Sequence, residues 1–407
     1  MEEWKEYRLE ELTIGKGEYG IGASAVPFDS SKYTYLRITD INDDGTLNKQ
    51  NLMSVDDINA CNYILQKNDI VFARTGNSTG RSYFYDGSDG VLIYAGFLIK
   101  FSIDDNKVNP RILKYYTHSK PYFDWVHSFD TGGTRGNINA KTYGTMPIIL
   151  PSRKIQDKIV SILKSFDDKI ELNRRINENL EQQAQTLFKS WFVDFNPFKD
   201  GKFIDSELGM IPEGWKVGTL SDIANVTMGQ SPKGISYNEN GEGIVFYQGR
   251  ADFGNRYPSI RLFTTEPTRY ADPFSVLLSV RAPVGDINIA VEKCCIGRGL
   301  ASIYSKTGHQ SFVLYTMFSL KKELDKFNSE GTVFGSINRS SIENLKIVIP
   351  PINVMDKFEH LVSKIDDMLL NLFQETTRLA QLRDILLPRF MSGELIITDI
   401  VDKNLSE

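Results

Sequence analysis

The sequence predicts an α+β protein: two similar mixed α/β domains separated by two long helices paired as an antiparallel coiled coil. Three observations in the 407 residues lead there. First, the chain repeats itself. Gly133-Thr134-Arg135-Gly136-Asn137-Ile138-Asn139, running into Met146-Pro147-Ile148-Ile149-Leu150-Pro151, returns as Gly331-Thr332-Val333-Phe334-Gly335-Ser336-Ile337-Asn338, running into Leu345-Lys346-Ile347-Val348-Ile349-Pro350. Second, the halves open alike: Trp4-Lys5 with Leu9 and Leu12 matches Trp215-Lys216 with Leu220 and Ile223. Third, a long helical pattern follows each closing proline, and the two patterns align without a gap. The period, about half the chain, is far longer than the roughly 20–50 residues of a solenoid repeat.

Residues 1–150 form the first domain. Tyr33 to Ile38, Ile70 to Ala73 and Val91 to Phe101 are β-branched or aromatic runs bounded by Gly, Asn and Asp, and predict short strands. Residues 111–129 predict a helix. Residues 151–203 are the first long helix and its linker. Ile159, Leu163, Phe166, Ile170, Asn173, Asn177, Leu180, Ala184, Leu187 and Trp191 alternate in steps of four and three. That 3.5-residue spacing is a coiled-coil signature, with Asn173 and Asn177 as polar register setters. Residues 204–350 are the second domain, with strands near 244–247, 274–280 and 300–304 and a helix over about 311–327. Residues 351–407 are the second long helix and a C-terminal tail. Its stripe runs Phe358, Val362, Ile365, Leu369, Leu372, Thr376, Leu379, Arg383, Leu386 and Phe390. Each helix of about 38–40 residues spans roughly 60 Å, too long to hide its stripe in a small domain. Pairing within the chain is the economical answer, and a coil between separate chains is the alternative.

Composition narrows the class of protein. A hydrophobic share of 41% and a charged share of 24% are those of an ordinary globular chain. The acidic start lacks the apolar stretch of a signal peptide, and no apolar run approaches the ~20 residues that cross a bilayer. Three cysteines are too few for a disulfide framework, and no CxxC or Cys/His cluster suggests a metal. A reduced cytoplasmic protein is expected. Net charge is −5, and neither domain is strongly basic: residues 1–150 carry 16 Lys and Arg against 19 acids, and residues 211–350 carry 15 against 13. Any contact with nucleic acid must therefore come from local clusters.

Some segments match a known family. The junction Asp205-Ser206-Glu207-Leu208-Gly209-Met210-Ile211-Pro212-Glu213-Gly214-Trp215 resembles the entry to a recognition domain in the specificity subunit of type I restriction–modification systems. The helix end Gln182-Gln183-Ala184-Gln185-Thr186-Leu187-Phe188-Lys189-Ser190-Trp191-Phe192 and the run Leu386-Leu387-Pro388-Arg389-Phe390-Met391-Ser392-Gly393-Glu394-Leu395 are similar to the same family, so the resemblance covers nearly the whole chain. It implies two target-recognition domains, each reading half of a split double-stranded DNA sequence, with the helices setting their separation. It also implies docking of methyltransferase subunits, two per chain, and of restriction (motor-nuclease) subunits. The specificity subunit itself would perform no chemistry and hold no cofactor or metal.

Base reading calls for Arg toward guanine and Asn or Gln toward adenine, with hydroxyls and amides for phosphates. Arg74, Thr75, Asn77, Ser78 and Arg81 follow an apolar strand and supply these groups. Arg281 follows Val276–Val280 and is expected at the matching place. The repeated Gly-Thr loop offers Arg135, Asn137, Asn139 and Lys141 in one copy and Ser336, Asn338 and Arg339 in the other. A stretch from Tyr247 to Tyr270 interleaves Arg250, Arg256, Arg261 and Arg269 with aromatics, and Arg298 completes the set. For each there is a structural alternative: an arginine paired with an aspartate of its own domain, a plain β-turn, or a solvated loop.

Two motifs mislead. Gly15-Lys16-Gly17-Glu18-Tyr19-Gly20 fits GxGxxG, but the following residues are broken by Gly and Pro, so no helix is expected to receive a dinucleotide. Asn196-Pro197-Phe198 lacks the second proline of an amino-methyltransferase motif. The four histidines form no catalytic or metal arrangement. The rival functions are a two-armed scaffold for proteins and a self-contained DNA methyltransferase. The latter would need a methyl-donor fold for which no segment is left.

Overall fold

The computed structural model describes residues 4–130, 136–328 and 335–395. The chain forms two compact units: Met1–Glu171 with Thr377–Glu407, and Leu172–Thr376. Each unit thus holds one domain and a stretch of both long helices.

In the first unit the entry strand Lys5–Arg8 pairs antiparallel with the exit strand Pro147–Leu150. Between them stand two four-stranded sheets. One is antiparallel, in the order Thr13–Tyr19, Leu98–Ile103, Asp69–Ala73, Ser82–Tyr85. The other has the order Ala25–Pro27, Met53–Val55, Tyr33–Leu36, Leu92–Tyr94, with the last pair parallel. The single strand expected over Val91–Phe101 is therefore two strands, separated by a turn in which Leu98 N–H donates to Ala95 O at 2.8 Å. The helix expected over 111–129 is also split, into Pro110–Tyr116 and Lys120–His127. Pro121 has no N–H for a continuing ladder, so a new helix begins there. Ile70, Phe72, Ile99, Phe101, Ile112, Tyr122 and Tyr143 form the main core.

The second unit repeats the plan. Lys216–Thr219 pairs with Lys346–Ile349. One sheet runs Ala224–Met228, Leu300–Ser305, Val276–Ser279, Ile287–Ile289. The other runs Tyr237–Asn238, Leu262–Thr264, Ile244–Tyr247, Cys294–Ile296 and adds the edge strand Tyr270–Ala271; its Ile244–Tyr247 and Cys294–Ile296 pair is parallel. Helices Gln310–Ser319 and Lys321–Asp325 replace the expected single helix, and Val276, Leu278, Val313 and Phe312 lie in the core.

The long helices are Arg153–Phe192 and Ile352–Met391, 40 residues each. In the first unit Ile159 and Leu163 share a core with Leu387 and Phe390. Asp167 there accepts from Arg383 Nη1 at 3.1 Å, from Lys114 Nζ at 2.7 Å and from Tyr115 OH at 3.0 Å. Burial pushes the Asp167 carboxyl up, but Lys114 and Arg383 outweigh it and hold it below the ordinary value. In the second unit the fully buried Asn173 donates from Nδ2 to Glu375 Oε2 at 2.7 Å and Thr376 Oγ1 at 3.3 Å. Further along, Glu181 and Asp366 meet through one arginine, described below. Rising numbers on one helix meet falling numbers on the other, so the two pair antiparallel within one chain. Asn173 and Asn177 both carry a buried Oδ1 without a hydrogen-bond partner, which marks a polar break in the seam.

Candidate nucleic-acid interface

Backbone hydrogen bonds align the two domains residue by residue. Ile138 N–H donates to Arg74 O at 3.0 Å, and Ile337 N–H donates to Val280 O at 3.1 Å. Gly80 N–H reaches Ala73 O, and Gly285 N–H reaches Ser279 O, each at 3.0 Å. Arg74 is thus equivalent to Val280, and Arg281 is equivalent to Thr75. The expected match of Arg74 with Arg281 is off by one residue. At a strand end one residue reverses the side-chain direction, so the two arginines do not occupy corresponding positions. The same alignment equates Tyr19 with Met228 and Gly20 with Gly229. Both glycines are forced: a Cβ would stand 2.3 Å from the Tyr94 and Ala95 oxygens in one domain and 2.2 Å from Gly297 O in the other.

In the first domain the Arg74 guanidinium lies over the Tyr19 ring, 5.0 Å from its centre, and Tyr19 OH accepts from Ala140 N–H at 3.1 Å. Asn137 and Lys141 are exposed beside them. Asn139 caps the short helix Ala140–Gly144, its Oδ1 accepting from Thr142 N–H at 2.9 Å. Thr75 is half-buried and Asn77 exposed. Arg135 lies outside the described residues, as do Gly133, Thr134 and Gly331 to Phe334 of the repeated motif. Two candidates are placed otherwise than expected. Ser78 is buried, and Arg81 is an internal tie, bonded to Ile41 O at 3.2 Å and Asp43 at 2.6 Å.

The second domain holds seven arginines between residues 211 and 350. Four have acidic partners. Arg250 meets Asp286 at 2.8 Å, Arg339 meets Glu343 at 2.8 Å, and Arg261 meets the buried Asp252. Arg256 is buried, with Asp366 Oδ1 at 2.6 Å and Glu181 Oε1 at 2.7 Å, the latter close but outside hydrogen-bond alignment. Tyr315 OH and Ser311 Oγ also donate to Asp366, at 2.8 and 2.6 Å. Arg256 is therefore a structural bridge from the domain to both helices and is unavailable to DNA. The basic stripe read from 247–270 is largely neutralised: Asp252 within it takes Arg261, and Asp286, Glu181 and Asp366 arrive from distant sequence.

The remaining three arginines, Arg269, Arg281 and Arg298, are exposed and have no acidic partner among the described residues. All three line two cavities that share Met228 and Arg339. The larger, about 740 Å³, is walled by Arg281, Arg298, Ser336, Asn338 and Arg339 over a floor of Met228, Val280 and Ile337. Gly229, Ala282 and Gly335 leave its rim low. No acidic residue is among its described walls. The smaller, about 510 Å³, contains Arg269 with Asp272. Arg269 is legible in the sequence only as a member of the 247–270 stripe. Asn338 is a helix cap like Asn139, with Oδ1 accepting from Ser341 N–H at 2.9 Å. Concave cationic ground on a nearly neutral domain focuses potential on an anionic partner.

Among the described residues no group of three or more His, Cys, Asp or Glu could hold a metal, and no helix is long and apolar enough to cross a membrane.

Comparisons with known proteins agree with this layout. A family profile described as "Type I restriction modification DNA specificity domain" matches residues 1–182 and 212–381. A Methanocaldococcus jannaschii sequence assigned as the MjaX specificity subunit of a type I restriction enzyme is 34% identical over 351 residues, which is 84% of this chain and 82% of that one. The HindI specificity subunit of Haemophilus influenzae is 24% identical over 97% of this chain and all of its own. In fold, the chain is similar to the crystal structure of a type I restriction–modification S subunit from M. genitalium, with a TM-score of 0.59 at 15% identity over 96% of each chain.

Proposed function

Since this chain belongs to the DNA specificity-subunit family of type I restriction–modification systems, we propose that it reads a two-part duplex target with residues 1–150 and 204–350. Arg74, Asn137 and Lys141 serve one half-site, and Arg281, Arg298 and Arg339 serve the other. The observation that carries this assignment is the cavity in which Arg281 and Arg298, without acidic partners among the described residues, gather with Arg339 on an otherwise charge-balanced domain. The DNA it selects is handed to methyltransferase and restriction subunits, in the cytoplasm. The doubled plan supports two methyltransferase subunits per chain. Their docking face includes the outward apolar residues of the second long helix: Leu361 and Met368, one heptad apart, in the second unit, and Leu382 and Ile385 in the first.

The test uses the full chain with its methyltransferase subunit and duplex DNA. Sequence-selective, salt-sensitive binding is expected, with adenine methylation only in the presence of the partner. Arg74→Ala should cost about 1–3 kcal/mol at one half-site and nothing at the other. Methyl transfer by the chain alone would overturn the reading.

A further inference from the structure

We infer that the second domain reads guanine, through the donor-rich cavity of Arg281 and Arg298. This deepens the proposed function and rests on it. The reasoning is an inventory of hydrogen-bonding groups. A guanidinium only donates, and its planar fork matches two adjacent acceptors. The amide in the same cavity would be the usual reader of adenine, but it has its acceptor engaged: Asn338 Oδ1 holds the N–H of Ser341 at 2.9 Å. Adenine presents one acceptor and one donor in the major groove, whereas guanine presents two acceptors, N7 and O6. A wall in which guanidinium donors dominate, with no carboxylate among its described residues and the one amide oxygen already accepting, suits the second pattern. Ser336 can serve either base and does not change the balance.

The floor argues for a base edge over a phosphate. Met228, Val280 and Ile337 line the same cavity as the guanidinium groups, and Val280 and Ile337 are buried within it. A phosphate, strongly hydrated, gains nothing from such a surface, while a base edge loses its water to it. The low rim at Gly229, Ala282 and Gly335 lets the edge come close.

The experiment takes the complex of the full chain with its methyltransferase subunit and selects from a randomised duplex pool. One half-site should contain an invariant guanine. Replacing that guanine by 7-deazaguanine, which lacks the N7 acceptor, should weaken binding roughly ten- to a hundredfold. Inosine, which keeps N7 and O6, should leave binding unchanged. Arg281→Gln or Arg298→Gln should relax selection at that position alone. Selective binding with no half-site guanine sensitive to 7-deaza replacement would overturn the inference while leaving the proposed function standing. Equal weakening on selected and random duplexes by Arg281→Gln, with a shallower salt dependence, would make the arginine a phosphate contact and also overturn it. A pool that yields no selected sequence would instead refute the function on which the inference rests. The base-analogue arm needs no substitution in the protein, so a misfolded variant cannot mask the outcome.

Discussion

The two domains share one backbone and differ in what stands at its functional end. At equivalent positions the first carries Tyr19, Arg74, Thr75 and Asn137, and the second carries Met228, Val280, Arg281 and Ser336. In the first, a single guanidinium lies over an aromatic ring, and the exposed Asn137 amide offers both a donor and an acceptor. In the second, the ring is gone, and a cavity opens whose lining includes Arg281 and Arg298, neither with an acidic partner among the described residues. The scaffold, with its glycine contacts, paired entry and exit strands and asparagine caps, is duplicated closely. On this shared scaffold the side chains at these four positions differ, and the second domain adds the edge strand Tyr270–Ala271.

The domains also differ in how they are tied to the helices. Asp167 in the first unit and Asp366 in the second each accept from a domain tyrosine. The guanidinium comes from the helix residue Arg383 in the first case and from the domain residue Arg256 in the second. Arg256→Ala strands two carboxylates in a buried site and should cost about 3–5 kcal/mol in the second unit, read from chemical denaturation. Arg383→Ala should cost less, because Lys114 still faces Asp167. Equal losses would dissolve the distinction. Next come Gly20→Ala and Gly229→Ala, each driving a Cβ into carbonyl oxygens. About 1–3 kcal/mol of destabilisation is expected from both if the repeat is as close as the hydrogen bonds indicate. Tyr19→Met makes the first domain resemble the second. It should remove about 0.5–1 kcal/mol of cation–π stabilisation, a melting shift of roughly 1–4 °C. It should also loosen selectivity at the half-site of Arg74. The smallest effect concerns acid. Asp167 is held below its ordinary value of 3.8, so its contribution is complete above that pH and is lost as pH falls through the lower folded value. The stability difference between wild type and Asp167→Asn should accordingly shrink below about pH 4 and stay constant above it.

Much of this architecture is legible in the residues. The Gly-Thr repeat, the Trp-Lys openings and the four-three spacing yield the domains and both helices, because those signals are local and period-bound. What local signals miss is pairing at a distance. Arg256 looks like a surface cation until Glu181 and Asp366, 75 residues before it and 110 after it, arrive beside it. Arg81 looks like a base reader until Asp43 and the Ile41 carbonyl tie its two Nη groups to their own domain. The Arg74 and Arg281 correspondence fails for a related reason: the motifs look alike in sequence, but only the hydrogen bond from Ile337 to Val280 sets the register. Arg269 was visible only as one member of a stripe, since the cavity it lines is made by strands far apart in the chain.

The entry and exit strands have an evolutionary consequence. Lys5 stands opposite Leu150, and Lys216 opposite Ile349, so each domain begins and ends at neighbouring strands about 5 Å apart. A fragment spanning one such pair can be exchanged for another of different length and loop content while the helices that follow keep their sequence and spacing. Recombination at these two seams would then replace one domain's loops in a single event, while the paired strands and the helices after them stay as they are.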